Sequence, residues 1–149
     1  MAEIYDDILD HLAPCGLDCT RCVAFAGGAV RRLAAELDGA LAGYESVAAR
    51  MAGFVPVLTH YPEFESVLQF LKSGSCTGCR AGGSSVPFCS ARTCFRDKGV
   101  DFCFQCDEFP CDRNEYPDSL GERWRAYGKR MGEIGPEAFY REQCARPRY

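Results

Sequence analysis

Apolar residues along the chain recur at helical rather than alternating intervals. Ile4, Ile8 and Leu12 fall four apart and Pro14 stops the run, which predicts a helix over Glu3–Leu12. From Ala29 to Met51, Val30, Leu33, Leu37, Leu41 and Val47 repeat among alanines and charges, with an interruption expected near Gly39 and Gly43. Phe64, Val67, Leu68 and Leu71 share a face over Glu63–Lys72, and Gly74 follows as a stop signal. Leu120, Trp124, Tyr127 and Met131 predict a helix over Asp118–Met131, and Pro136 is placed to begin a shorter one. No alternating run is long enough for a sheet. The Gly/Ser/Pro stretch from Gly82 to Pro87 leaves room for one short β-hairpin. The expected fold is mainly α, a small single domain over residues 1–149 with cysteine-rich metal-binding loops.

Composition narrows the function classes. A chain of 149 residues buries roughly 68–70% of its unfolded surface, so its size alone does not demand a metal. A formal net charge of -4 argues against a broad cationic surface and so against general nucleic-acid binding. Binding eight thiolates to two divalent ions would deepen that charge by about four further units. Met1–Leu12 lacks the basic flank and apolar run of a secretory signal, and Arg31, Arg32, Glu36 and Asp38 break the longest apolar stretches. The expectation is a soluble, cytoplasmic protein with no membrane partner. In a reducing compartment eleven cysteines point to metal rather than to disulfides.

The cysteines are clustered. Cys15, Cys19 and Cys22 form one group, residues 23–75 contain none, seven lie from Cys76 to Cys111, and Cys144 stands apart. Cys76-Thr77-Gly78-Cys79 and Cys103-Phe104-Gln105-Cys106 are C-x-x-C pairs. A tight turn of that length aims two sulfurs at one ion while a backbone amide donates to a thiolate; Gly78 suits the turn because it admits positive φ. With Cys89, Cys94 and Cys111 nearby, two such pairs make a strong metal signal. A sequential grouping joins Cys76, Cys79, Cys89 and Cys94 and sends Cys103, Cys106 and Cys111 to the N-terminal trio. A crossed grouping joins Cys76 and Cys79 to Cys103 and Cys106. Closure cost rises slowly with loop length, so the preference for the first is mild.

Cys15, Cys19 and Cys22 also have the spacing by which radical S-adenosylmethionine enzymes hold a 4Fe–4S cluster. The chain is too short for the barrel of those enzymes, and Arg21 stands where they carry an aromatic residue. Zinc is the favoured cofactor because C-x-x-C pairs separated by ordinary loops suit structural zinc; a 4Fe–4S cluster is the alternative. Arg21, Arg80, Arg92, Arg96 and Lys98 lie among the thiols. Each is more simply a solvated side chain, and Arg92 is the best candidate to neutralise a thiolate centre.

Four blocks now carry a resemblance. Cys15-Gly-Leu-Asp-Cys19 with Cys22, Cys76-x-Gly78-Cys79, Cys89-x-x-Arg92-x-Cys94, and Lys98-Gly-Val100 followed by Cys103-x-x-Cys106-Asp-Glu-Phe-Pro-Cys111 resemble the domain of unknown function 3795. The resemblance implies a cysteine-rich, metal-binding domain and brings no reaction with it.

The remaining candidates have plainer readings. His11, four residues before Cys15, is more often a surface or capping histidine than a ligand, and His60 reads as a loop residue. Cys144 is expected to be a free, packed thiol. Trp124, Tyr127, Phe139 and Tyr140 read as core, and Asp107-Glu108 as water-facing carboxylates. No Ser/His/Asp arrangement or phosphate-cradling glycine loop is present, so the sequence indicates no enzyme reaction. A module with structural zinc that binds an unknown protein or small-molecule ligand competes with an iron–sulfur redox protein, and with a catalytic metal held by the N-terminal trio alone.

Overall fold

The computed structural model describes residues 2–83 and 86–149, with side chains from Tyr5 onward. Seven α-helices lie among the described residues: α1 (Ala2–His11), α2 (Ala29–Ala40), α3 (Tyr44–Met51), α4 (Tyr61–Lys72), α5 (Ala91–Asp97), α6 (Asp118–Ile134) and α7 (Pro136–Cys144). Single 3-10 turns occupy Pro56–His60 and Cys103–Gln105. No strand forms among the described residues. The hairpin expected at Gly82–Pro87 is reduced to one bridge between Gly78 and Gly83, with Ser84 and Ser85 outside the described residues.

The core follows the periodicity of the terminal helices. α6 buries Gly121, Trp124, Gly128 and Met131 at alternating intervals of three and four, so one stripe faces inward. Gly135, at φ 81°, ends α6, and Pro136 starts α7 on the next residue. α7 returns against α6 and brings Phe139 into a cluster with Ile8, Leu12, Phe102 and Met131. Phe102 is wholly buried. Burying each such side chain contributes about 1.5–3 kcal/mol. Ile4, assigned to the same helical face by its spacing, lies outside the described side chains.

Helices α2 to α4 form an excursion that leaves after Cys22 and returns at Cys76. Its neck is closed by backbone pairing: Ala26 N donates to Cys76 O (2.8 Å) and Cys76 N donates to Ala24 O (2.9 Å). At Gly74 the backbone comes so near that an added Cβ would stand 3.1 Å from the Ala24 and Val23 carbonyl oxygens. Gly43, at φ 80°, marks the break between α2 and α3, where the glycines predicted one. Asp38 on α2 accepts from Gln69 Nε2 (2.6 Å) and Lys72 Nζ (2.5 Å) on α4.

The apolar repeat on this excursion does not face a core throughout. Leu33 is 54% and Leu37 44% exposed, while Ala34, Ala48 and Leu68 are buried. The helices exist where the pattern puts them, but the contact between α2 and α4 covers only part of each stripe. α5 and the two 3-10 turns are too short to leave a periodic signal. No helix of the described residues is long and apolar enough to cross a membrane.

Candidate metal centre

Cys15 sits at the tip of a tight reversal. Leu12 pairs antiparallel with Asp18, Ala13 N donates to Leu17 O (2.8 Å), and Cys19 N donates to His11 O (2.9 Å). Gly16, at φ 85°, makes the bend. Asp18 is buried; its Oδ1 accepts from Thr20 Oγ1 (2.8 Å) and Arg21 N (3.3 Å), while its Oδ2 has no hydrogen-bond partner. The paired neck of the excursion then delivers Cys76 and Cys79 beside this reversal. Gly78 has φ 90° and its N–H donates to Cys76 Sγ (3.4 Å), as the C-x-x-C spacing predicts. An added Cβ on Gly78 would lie 4.0 Å from Cys19 Sγ, which measures how closely the turn approaches the N-terminal trio.

The second C-x-x-C pair is attached to the first reversal by the backbone: Cys103 N donates to Pro14 O (2.8 Å). Cys94 projects from α5, Cys103 begins a 3-10 turn, and Cys106 and Cys111 follow on the loop toward α6. The ten clustered cysteines divide between two neighbouring cavities. The larger, about 120 Å³, is lined by Cys15, Cys19, Cys22, Cys76, Cys79 and Cys89. The smaller, about 20 Å³, is lined by Cys94, Cys103, Cys106 and Cys111. Trp124 of α6 lines both, packed edge-to-face against Phe109 and Tyr116 (5.0 and 5.6 Å between centroids). This division follows neither the sequential nor the crossed grouping. Cys94 lies within α5 and Cys89 before its start, so they line different inner cavities while both also line an outer groove. Among the described residues no three of these side chains already stand as a finished ligand set; the backbone decides which thiols share a space.

The surroundings favour the protonated form of Cys15, Cys19, Cys94 and Cys103. Burial pushes Cys15 and Cys103 up to about 12, and neighbouring cysteines add to both. A hydrogen bond with Cys79, then burial, holds Cys19 still higher. Burial also raises Cys94, which Cys111 reinforces and Arg113 opposes. Cys89 Sγ lies 2.8 Å from Tyr116 Oη. The Trp124 indole N–H is buried without a close hydrogen-bond partner, and its approach favours the ionised form of Cys103. A donor set dominated by sulfur, an amide aimed at Cys76 and an unsatisfied indole N–H beside Cys103 fit a soft cation, which takes thiolates and leaves their protons to solvent.

The basic residues are otherwise employed. Arg80 donates to Leu12 O (2.9 Å) and Asp101 O (2.6 Å) and stacks on Phe95 and Phe102. Arg21 donates to Gln143 O (2.6 Å) and Arg146 O (2.7 Å). Arg96 donates to Arg80 O, and Lys98 pairs with Glu108. Arg92 lines an outer groove with Cys89 and Cys94 rather than either inner cavity. The cations at the cavities are Lys98 and Arg113 at the smaller, and Arg123 and Arg148 at the larger. The distance of Arg123 and Arg148 in sequence from the C-x-x-C pairs gave no signal of their placement.

His11 is directed away from the thiols, with Nδ1 2.9 Å from Thr20 Oγ1 and its ring stacked on Tyr140. Cys144 is exposed rather than packed: it closes α7, beyond the inward face of that helix. Trp124 and Phe139 are core, as their spacing indicates, and Tyr127 and Tyr140 pack against that core. Asp107 and Glu108 are exposed.

The pattern of a family described as protein of unknown function (DUF3795) matches residues 11–116, a span that contains all ten clustered cysteines. No curated protein and no solved structure matches the chain significantly.

Proposed function

The chain belongs to the DUF3795 family of proteins of unknown function, and from that premise we propose that it is a metal-binding protein whose clustered cysteines hold zinc and so brace a binding surface. One observation carries the reading: ten thiols from segments far apart in sequence line two adjoining cavities on either side of Trp124. Segments otherwise poor in helix thereby gain a reason to be ordered. Structural zinc contributes about 10–16 kcal/mol in isolated peptides at neutral pH, ample to order such loops. The surface to be braced is the α2–α4 excursion, whose neck starts and ends on Cys22 and Cys76 and which exposes Phe54, Val57, Phe64, Val67 and Phe70. Large exposed apolar side chains gathered on one excursion favour a protein partner. Asp107 and Glu108 face water, and no reaction is assigned.

Elemental analysis of untagged protein, purified without oxygen, tests this reading. Stoichiometric zinc in colourless protein is expected, together with a marked fall in melting temperature on chelation. Brown protein with broad visible absorbance would replace zinc by iron–sulfur. Protein with no stoichiometric metal, and a melting temperature indifferent to chelators, would overturn the reading altogether.

A further inference from the structure

We propose that the two thiol cavities hold unlike centres: one divalent cation in the smaller, and a polynuclear, thiolate-held metal centre in the larger. This rests on the metal-binding reading and extends it to stoichiometry. The smaller cavity offers four sulfurs, the number a tetrahedral ion uses, around a space of about 20 Å³. That is close to the room one atom-sized probe needs, about 10–15 Å³. The larger cavity offers six sulfurs around about 120 Å³. A single tetrahedral ion there would strand two thiols in a site that is already mostly apolar.

A pair of bridged ions makes use of that surplus, and a centre that carries its own inorganic sulfide fills the volume instead. Two divalent ions need eight metal–sulfur bonds, and six thiolates supply them when two of the six bridge. An iron–sulfur cluster of four irons takes four thiolates and brings inorganic sulfide into the same volume. In either case each ligating thiol releases its proton to solvent and keeps its electrons on sulfur, so no oxidant or reductant enters the binding step. Both kinds carry a net charge of about -2 once ligated, and Arg123 and Arg148 on the cavity wall are placed to offset it. Arg148 Nε is buried and has no hydrogen-bond partner, so a donor is already available there. Trp124 lines both spaces.

The test counts zinc, iron and acid-labile sulfide per chain in wild-type protein and in two variants, Cys94→Ser/Cys111→Ser and Cys19→Ser/Cys79→Ser. Wild type is expected to hold at least three metal atoms. The first variant should lose one of them and the second should retain only one. Iron with sulfide in the remainder identifies a cluster; zinc alone identifies a thiolate-bridged pair. Two metal atoms in wild type, each variant losing one, would overturn the proposal while leaving metal binding intact. Metal-free wild type would instead overturn the reading on which it rests. Should either variant fail to fold, X-ray absorption of wild type decides: metal–metal scattering beyond the sulfur shell is expected, and its absence overturns the proposal.

Discussion

Gly128 is the residue at which α6 admits the aromatic partner of Trp124. A Cβ built there would stand 2.3 Å from Phe109 Cζ, far inside van der Waals contact. Gly128→Ala must therefore displace Phe109, and a loss of about 1–3 kcal/mol is expected in denaturant titrations, with a change in Trp124 fluorescence. Arg80 works differently, by joining three segments through two carbonyl oxygens and two ring faces. Arg80→Ala is expected to cost about 2 kcal/mol, and Arg80→Lys to recover only part of it, because an ammonium cannot span both carbonyls and stack at once. Trp124→Phe keeps the ring packing and removes the N–H beside Cys103. Metal affinity should fall about tenfold in a competition titration while the fold persists.

Among the elements, the pairing of α2 with α4 depends on a side-chain tie that pH can test. The hydrogen bond from Lys72 holds the Asp38 carboxyl below its ordinary range. A depressed carboxyl stabilises the fold fully above its unfolded pKa of about 3.9, and that contribution is lost as pH falls through the lower folded value. Below about pH 4, amide exchange in α2 and α4 should therefore quicken relative to α6, and Asp38→Asn should abolish that acid-side difference. If both proteins show the same acid profile, the tie is incidental. The excursion also shows why helical spacing is an incomplete guide to burial. Leu33 and Leu37 are one turn apart, as a buried stripe requires, yet both stay exposed because α4 covers the neighbouring face. At α6 the same type of pattern succeeds, because α7, the 103–105 turn and Phe109 cover one side of that helix.

At the scale of the molecule, the core and the thiol cavities adjoin but are held by different means. Ile8, Leu12, Phe102, Met131 and Phe139 pack the terminal helices together without any cysteine. The loops from Cys76 to Cys111 have one short helix and one 3-10 turn, and reach that core through Phe102. Removal of metal is expected to loosen these loops while α6 and α7 retain their helicity, read as faster amide exchange confined to residues 76–116. Uniform exchange throughout would show that the loops need no ion. Acid should have the same local effect as a chelator, because protons compete with the cation for thiolate sulfur.

The sequence alone determined what depends on neighbours a few residues apart. Five helical stretches, the break at Gly43 and the amide-to-sulfur turn at Gly78 follow from periodicity and glycine geometry, since i to i+4 contacts and tight turns are settled locally. The tertiary structure decided which thiols share a cavity and which leucines meet water. Closing a long loop costs little more than closing a short one, so spacing along the chain cannot select partners for a cysteine. Selection falls instead to the neck pairing at Cys76, the bond from Cys103 to Pro14 and the wall made by Trp124. Those contacts exist only once the core has formed.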